Sequence, residues 1–317
     1  MSIRLTTFMV CLTLASAAVA EKFTNADFNS AYRSYQRLME AQRYEDAEAS
    51  ARDAAVIGAQ LFGPRDPRTA ALTYNHGELQ RVNGHHAAAL VTLGLALKRY
   101  QAAMGEDALD LVDPLMALGE VRIVQGSTDT SHFDRAIALA RRHGELELMA
   151  GLSASAGGLL ARAGLAAAAI PYLGTAVETM QSLPGDQPLL RPTRVLLYQS
   201  ALTTGAANAQ ALCAALGTEG PWHPGDDATL LYRTAVLYPD SARERGVEGY
   251  VTLEFSIAPD CSARDIEVVD SAGSLSFHRA AKLALREWRF APEIRNGTLT
   301  PSVRVRTRVN FDADALR

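Results

Sequence analysis

Three arginines at alternate positions near the end of the chain are the side chains best arranged to bind something. In the run P-S-V-R-V-R-T-R-V-N-F, residues 301–311, Arg304, Arg306 and Arg308 share one parity, and the other parity is mostly apolar. Alternation with a period of two predicts a half-buried β-strand with a row of guanidinium groups on its exposed face. Such a row either selects an acidic partner strand or only discourages unwanted edge pairing. In a chain with 28 arginines and three lysines, arginine is also simply the usual surface cation.

Catalytic and metal-binding residues are not predicted. His85 and His86 are adjacent, but no Cys, Asp or Glu stands at a spacing that would complete a metal site with them. His278 is expected on the outward face of a helix, and the sequence has no HExxH motif, no phosphate-binding loop and no recognisable Ser/His/Asp or Cys/His set. We therefore expect no enzyme activity, no metal, no cofactor and no small-molecule substrate.

Length and composition favour a globular protein of two domains. The chain has 317 residues, of which 48% are hydrophobic and 21% charged, and its net charge is −4. This balance is typical of a soluble globular protein, and the length is sufficient for two domains of ordinary size. The small net charge gives no reason to expect nucleic acid as a partner.

The first twenty residues have the pattern of a secretory signal peptide. Arg4 precedes an apolar run, and Ala18-Val19-Ala20 stands before the charged pair Glu21-Lys22. A positive start, an apolar middle and a small-x-small end predict a cleaved export signal. The alternative is an uncleaved membrane anchor, although the apolar run is shorter than the ~20 residues that a spanning helix needs.

Two cysteines remain after the predicted cleavage, Cys213 and Cys261. In an exported protein such a pair can form one disulfide, and the two can equally be unpaired, buried thiols. The sequence leaves both alternatives open.

A repeat of 42 residues runs through the first two thirds of the chain. Gly77 and Gly84 recur at this interval as Gly119 and Gly126, within G-E-L-Q-R-V-N-G and G-E-V-R-I-V-Q-G. Small residues let two helices cross closely, and glycine suits the turn between them. Over about residues 25–215 this pattern resembles the tetratricopeptide repeat (TPR) family. The resemblance implies a solenoid of helix pairs that binds peptides or partner proteins, with a mere spacer as the alternative.

The last part of the chain changes to the period of strands. Residues 217–228 concentrate Gly, Pro and Asp and predict a linker. Strands are predicted at 249–258, 264–270 and 303–311, with a helix over 277–288 between the second and the third. Asn296-Gly297 predicts the turn into the final strand. Three antiparallel strands with helices on one face make a small α+β domain.

Several motifs within residues 229–313 resemble the C-terminal domain of the TonB energy transducers. They are Y-P at 238–239, S-A-R-E-R-G-V-E-G-Y-V-T-L-E-F-S-I-A-P-D, I-E-V-V-D-S-A-G, F-H-R-A-A-K-L-A-L-R-E-W-R-F-A-P and N-G, in the family's order. One position departs from the family, because the usual Asp-Gly of the first hairpin is Asp260-Cys261 here. Glycine would supply a positive φ at no cost, so the turn is expected to differ locally.

The resemblance implies a site for peptides. In that family the last strand offers an unpaired edge, and an extended segment of an outer-membrane receptor, the TonB box, adds to it as a further strand. The edge carried over to this chain comprises Val303, Arg304, Val305, Arg306, Thr307, Arg308 and Val309. The motif residues expected to be structural are Tyr238, Pro239, Gly249, Trp288 and Pro292.

The predicted architecture has an all-α TPR solenoid followed by a small α+β TonB-like domain with a three-stranded antiparallel sheet and two helices. Its boundaries are a signal peptide at 1–20, helical repeats at 21–216, a linker at 217–228 and the TonB-like domain at 229–317.

Three hypotheses follow for function. The first is a periplasmic adaptor that binds segments of outer-membrane receptors or other envelope proteins, with the TPR groove for a second partner. The second is a transducer anchored in the inner membrane and facing the periplasm. Against it, no histidine precedes His76 and no proline precedes Pro64, so the family's intramembrane His and Pro-rich spacer are missing. The third is an envelope scaffold, a homodimer joined edge strand to edge strand.

Overall fold

A computed structural model describes residues 23–219 and 223–312 of the chain. The predicted signal peptide lies outside these ranges. The chain divides into two compact units, Met1–Ala103 and Met104–Arg317. In the described parts of the chain, no helix is both long enough and apolar enough to cross a membrane.

The first unit is built from helix pairs. Its helices are α1 (Asn25–Glu40), α2 (Tyr44–Phe62), α3 (Pro67–Val82) and α4 (His86–Met104). Gly84 lies in the turn between α3 and α4 with a φ of 78°, which glycine adopts without strain. A Cβ atom at Gly77 would lie 2.9 Å from the Leu93 side chain, so a small residue there lets α3 and α4 pack closely.

The second unit begins with further helix pairs that repeat this arrangement. After a short 3-10 helix (Leu109–Leu111), its helices are α5 (Val112–Val124), α6 (Ser131–Arg142), α7 (Leu146–Arg162), α8 (Ala166–Ser182), α9 (Leu190–Thr204) and α10 (Ala209–Ala214). A Cβ atom at Gly119 would clash with the ring of Phe133, and one at Gly157 would clash with Leu173. The predicted close crossings of paired helices are confirmed.

The second unit ends in an α+β domain. Its elements are β1 (Thr218–Glu219), β2 (Leu230–Tyr232), α11 (Asp240–Arg243), β3 (Gly249–Ile257), β4 (Ala263–Ala272), α12 (Ser276–Glu287), β5 (Arg289–Phe290), β6 (Glu293–Arg295), β7 (Thr298–Thr300) and β8 (Val305–Phe311). The main sheet has three antiparallel strands, as predicted, and its strand order is β4-β3-β8. The short strands pair as β2-β5 and β1-β6-β7.

The core of this domain lies between α12 and one face of the main sheet. Alternate residues of β3 and β8 are buried there together with the apolar face of α12: Val251, Leu253, Phe255, Ile257, Val305, Val309, Phe311, Phe277, Ala281 and Leu285. The period of two in the strands and the helical period in α12 therefore turn their apolar faces toward each other. Trp288, directly after α12, is only 5% exposed and belongs to the same core.

Two local predictions differ from the structure. Asn296 and Gly297, with φ of 51° and 74°, turn between β6 and β7 rather than into the final strand, because this dipeptide suits a tight hairpin between its immediate neighbours. The final strand begins at Val305 and not at Val303. Ser302, before the strand, bonds to Ile257 of β3 twice: its Oγ accepts a hydrogen bond of 2.8 Å from the backbone N of Ile257, and its own backbone N donates one of 3.0 Å to Ile257 O.

The segment predicted as a linker forms hydrogen bonds with the domain that follows it. Within residues 217–228, β1 pairs in parallel with β6. Residues 225–228, called the strap from here on, lie beside β8 and form a parallel bridge to it through Asp227 and Arg306.

Cys213 and Cys261 form a disulfide, with their Cα atoms 6.1 Å apart. The bond joins α10 to the turn between β3 and β4, inside a buried cluster that includes Tyr198 and Leu231. Cys261 has a φ of 64°, so it adopts the backbone conformation that the family's glycine would supply. The departure Asp260-Cys261 is therefore explained by a covalent link between the helical repeats and the α+β domain.

Candidate strand-addition site

The hydrogen-bonding pattern of β8 decides which of its residues face away from β3. Arg306 is paired with Glu254 of β3, yet its backbone N–H and C=O bond to the strap. This is therefore a non-hydrogen-bonded pair of the antiparallel ladder. Because the direction alternates along a strand, Arg308 and Asn310 also point their N–H and C=O groups away from β3.

The strap occupies the first half of this outer edge. Three backbone hydrogen bonds hold it there: Gly225 N donates to Arg304 O at 2.8 Å, Arg306 N to Asp226 O at 2.8 Å, and Ala228 N to Arg306 O at 3.0 Å. We call Arg304 and Arg306 the occupied half of the edge. A further strand cannot bond to this half while the strap is in place.

The second half of the edge, Arg308 and Asn310, is open. Within residues 23–219 and 223–312, no backbone group bonds to its outward N–H and C=O groups. It faces a cleft of about 690 Å³, whose other side is formed by residues 233–236, Tyr238 and Trp288. The indole Nε1 of Trp288 donates a hydrogen bond of 3.0 Å to Thr234 O, which ties this far wall to the core.

The guanidinium groups of the arginine row contact the protein's own sheet. Arg304 Nε and Arg306 Nη2 lie 2.9 Å and 3.0 Å from the two carboxylate oxygens of Glu254. Arg308 lies over the ring of Tyr250, with its guanidinium carbon 3.4 Å from the ring centre. Each arginine thus has a partner across the strand pair, and selection of an acidic partner strand remains a prediction.

Glu254 is the electrostatic centre of this row. Hydrogen bonds from Arg306, and to a smaller extent from Arg304, hold the pKa of its carboxyl below the ordinary value. Arg304 also contacts Glu267 of β4 at 3.1 Å, so the pairing extends over all three strands.

Tyr238 lines the cleft, and Pro239 follows it in the chain. The ring of Tyr238 packs edge-on against Phe277 at 5.5 Å and against Phe311 at 5.8 Å, and its hydroxyl donates a hydrogen bond to Val247 O. Pro239 immediately precedes α11. The contacts of Tyr238 give it a place in the packing of the domain, and the carbonyl of Pro239 accepts hydrogen bonds from Ala242 N and Arg243 N.

The other motif residues also lie in packed positions. A Cβ atom at Gly249 would clash with the backbone of Ala272 in the neighbouring strand, so the two strands approach more closely than a side chain allows. Trp288 is in the core, and Pro292 is buried between β5 and β6.

A second concave surface lies among the helices of the second unit. A groove of about 340 Å³ runs between α5, α7 and α9 and has an apolar floor with charged residues at its side. The residues that line it include Met116, Glu120, Leu159, Arg162, Leu189 and Leu196. Leu189 is 54% exposed, which leaves apolar surface available to a partner.

Two of the three histidines named from the sequence contact polar groups, whereas Nδ1 of His86 is buried without a hydrogen-bond partner among the described residues. His85 Nδ1 lies 2.9 Å from a carboxylate oxygen of Glu48, and His278 Nε2 lies 2.8 Å from the hydroxyl of Ser271. Among the described residues, no three His, Cys, Asp or Glu side chains lie together in a way that could hold a metal ion.

The strap is the feature of the β8 edge that the sequence did not reveal. Gly225-Asp226-Asp227 has the composition of a turn, and its bonds to β8 use backbone groups that every residue carries. The only signal was its place directly before the domain, which does not distinguish a paired segment from a free linker.

Residues 234–313 match the model of the family described as Gram-negative bacterial TonB protein C-terminal. Together with the main sheet and its edge strand, this match defines a TonB-like C-terminal domain, which here follows TPR-like helix pairs. The resemblance inferred from the sequence is confirmed over this range.

Individual relatives support both parts. Protein TonB of Pseudomonas aeruginosa is 32% identical over 103 residues, and Protein TonB of Escherichia coli is 31% identical over 62 residues. These alignments cover 31% and 20% of this chain but only 30% and 26% of the two relatives. The crystal structure of a Podosopora anserina putative kinesin light chain with nearly identical TPR-like repeats aligns with a TM-score of 0.50, at 14% identity, over 58% of this chain and 90% of that one. This likeness shows the repeat fold.

Proposed function

We propose that this protein is a periplasmic adaptor whose TonB-like domain binds extended protein segments by β-strand addition at the open half of the β8 edge. The observation that carries the proposal is the pair of outward N–H and C=O groups at Arg308 and Asn310, which face a cleft with no described strand in it. Segments of outer-membrane receptors of the TonB-box type are the expected partners, by analogy with the family.

The size of the open half limits the strength of the interaction. Two residues offer two donors and two acceptors to an added strand, and each main-chain bond contributes about 0.5–1.5 kcal/mol net. Such a short ladder supports modest affinity, and side chains of the partner that enter the cleft beside Trp288 and Tyr238 would add selectivity.

Hydrogen exchange of single backbone amides tests this proposal. In the free protein, the amides of Arg308 and Asn310 should exchange rapidly, whereas those of Thr307 and Val309, which face β3, should be protected. On addition of synthetic peptides that span the N-terminal segments of outer-membrane receptors from the same organism, Arg308 and Asn310 should become protected. Protection without any peptide, together with a doubled molecular mass, would instead support the homodimer.

Two substitutions at one position separate the main chain from the side chain. Asn310→Ala keeps the outward N–H, and Asn310→Pro removes it without removing a bond to β3. We expect the alanine variant to bind peptide as the wild type does and the proline variant to lose binding. Near-UV circular dichroism checks that the proline variant remains folded. Equal loss in both variants would contradict strand addition.

The groove between α5, α7 and α9 is the proposed site for a second partner. Its apolar floor and the nearby Glu120 and Arg162 suit a peptide with mixed apolar and charged side chains. A photo-reactive residue at Leu159 should cross-link a partner in envelope preparations, and the same residue at Val56, an exposed position on α2, serves as control. Identical cross-links from both positions would contradict a specific groove.

A further inference from the structure

The outward face of α12 combines cations with exposed leucines. Five residues share this face, because successive members are one, three or four positions apart in the sequence. They are Leu275, Arg279, Lys282, Leu283 and Arg286. Leu275 is 81% exposed and Leu283 is 50% exposed. The opposite face carries Phe277, Ala281, Ala284 and Leu285, which are buried against the sheet. We call the outward set the α12 stripe.

The cations of the α12 stripe have no ion-pair partner among the described residues. Within the part of the chain that the structure describes, no carboxylate forms an ion pair with Arg279, Lys282 or Arg286. The exposed carboxylate nearest in sequence is that of Glu287, which lies at the border of this face. Arg304 and Arg306 differ in this respect, because both form ion pairs with Glu254, and Arg304 also forms one with Glu267.

A basic cleft adjoins the stripe. It measures about 630 Å³ and is lined by four cations, Arg264, Lys282, Arg286 and Arg289, and by two carboxylates, Asp260 and Asp265. Asp260 already accepts hydrogen bonds from Ser262 and Arg264, and Asp265 accepts one from the hydroxyl of Ser256. The cleft therefore keeps an excess of positive charge with room for an anionic group.

We infer that the α12 stripe and its basic cleft form a docking surface for an anionic phospholipid membrane. Cations would approach the lipid phosphates, the cleft would take one headgroup, and Leu275 and Leu283 would enter the boundary with the acyl chains. This surface is separate from the proposed strand-addition site, which uses backbone groups of β8.

The composition of the stripe favours a lipid surface over an acidic protein. Single leucines among flexible cations on a convex helix suit the lipid–water interface, because each side chain can insert to a different depth there. An acidic protein partner would leave these leucines at the rim of a charged contact, where they contribute little.

Vesicle sedimentation with the chain as isolated from the envelope tests the inference. Vesicles of equal parts phosphatidylglycerol and phosphatidylcholine should bind the protein more tightly than vesicles of phosphatidylcholine alone, and added salt should reduce the difference. Free glycerol phosphate at the same phosphate concentration should not compete, since it lacks the acyl boundary.

Variants locate the contact. Lys282→Glu with Arg286→Glu should weaken binding to the anionic vesicles by about thirty-fold or more, the loss expected from two cations near an anionic surface. The matched control is Arg33→Glu with Arg37→Glu, which reverses two exposed charges at the same spacing on α1 and should leave binding unchanged. Leu275→Ser with Leu283→Ser, which keeps all charges, should also weaken binding and guards against misfolding of the glutamate variant.

Three outcomes would overturn the inference. They are equal binding of the wild type to both kinds of vesicle, equal loss in the α12 and α1 charge reversals, and full binding by the leucine variant together with full competition by glycerol phosphate. Thermal unfolding of each variant confirms that a loss of binding is not a loss of the fold.

Discussion

The two halves of the outer β8 edge have nearly the same sequence and different surroundings. Arg304 and Arg306 alternate with apolar residues, as Arg308 and Asn310 do. All four residues point backbone groups away from β3, which is also the side on which the strap lies. The first pair is covered by the strap, and the second faces a cleft. Availability of a strand edge is therefore decided by a segment about eighty residues earlier in the chain, and not by the strand.

The same difference bears on the two alternatives for the arginine row, which are selection of an acidic partner strand and prevention of unwanted edge pairing. In the occupied half, Arg304 and Arg306 share the carboxylate of Glu254. In the open half, Arg308 rests on the ring of Tyr250 and has no carboxylate of its own among the described residues. A peptide at the open half would thus meet the one arginine of the row whose charge is not paired with a carboxylate.

The largest expected effect comes from the end of the open half. Phe311 is 2% exposed and stacks on Phe277 with 4.1 Å between ring centres. Phe311→Ala should lower the free energy of unfolding by about 3–5 kcal/mol, because it removes a buried aromatic side chain. Denaturant unfolding measures the loss, and hydrogen exchange should show that the amide of Val309 loses more protection than that of Val305.

The control for this prediction is Thr307→Ala, between the two halves. Thr307 is half-buried on the same strand, so its truncation should cost far less and affect both halves alike. If Phe311→Ala lowers protection at Val305 as much as at Val309, then the two halves do not behave separately.

The next largest effect is expected on removal of the disulfide between Cys213 and Cys261, of which Cys213 precedes the strap in the chain. Cys213→Ser with Cys261→Ser should lower the free energy of unfolding by about 2–4 kcal/mol, since the bond closes a loop in the unfolded chain. Cys213→Ser with Cys261→Gly should be more stable than this double-serine variant by about 1–2 kcal/mol, because position 261 has a positive φ.

These two double variants differ at a single residue, so thermal and denaturant unfolding compare them directly. Equal stability would mean that the turn rearranges once the disulfide is gone, and that the conformation of Cys261 is imposed by the bond.

Regular patterns made much of the fold predictable. The alternation of Val251, Leu253 and Phe255 gave β3 its buried face, and the 42-residue recurrence of Gly77 gave the crossing at Gly119. Both signals depend on side-chain type, which the sequence displays. The start of β8 was not predicted correctly, because the alternation continues through Val303 although residues 301–304 are not part of the strand, and the contacts of Ser302 with Ile257 join residues 45 positions apart.

The candidate site was predictable only in part, for the same reason. The strand and its arginines follow from alternation, but the pairing of Arg306 with Glu254 requires the register between β8 and β3. The strap is harder to predict, because its hydrogen bonds use backbone groups and therefore do not select particular side chains. Sequence thus predicted which strand forms the edge and not which half of it is open.

Removal of one strap bond should convert part of the occupied half into open edge. Ala228→Pro eliminates the N–H that donates to Arg306 O, at a cost of about 1 kcal/mol in the free energy of unfolding. The amide of Arg306 should then exchange faster in the free protein. With a receptor peptide present, protection should extend from Arg308 to Arg306, and the affinity should rise.

Ala228→Ser retains the N–H and should behave as the wild type in both measurements. Peptide protection that still ends at Arg308 in the proline variant would show that the strap does not set the limit of the site.

The smallest effect is expected from the ion pairs of the arginine row, in which the Glu254 carboxylate contacts both Arg304 and Arg306. Its pKa is lower in the folded protein than in the unfolded chain, chiefly because of Arg306. The stabilisation is therefore complete above the unfolded value and disappears as the pH falls through the folded one. Glu254→Gln should lower the melting temperature slightly at neutral pH, and the difference from the wild type should shrink as the pH falls below the ordinary 4.5 of a glutamate carboxyl and vanish in stronger acid. Arg308→Gln, in the open half, should show no such pH-dependent difference, because no carboxylate of the described residues pairs with it. A difference that persists in acid for Glu254→Gln would mean that packing, and not charge, connects the occupied half to β3.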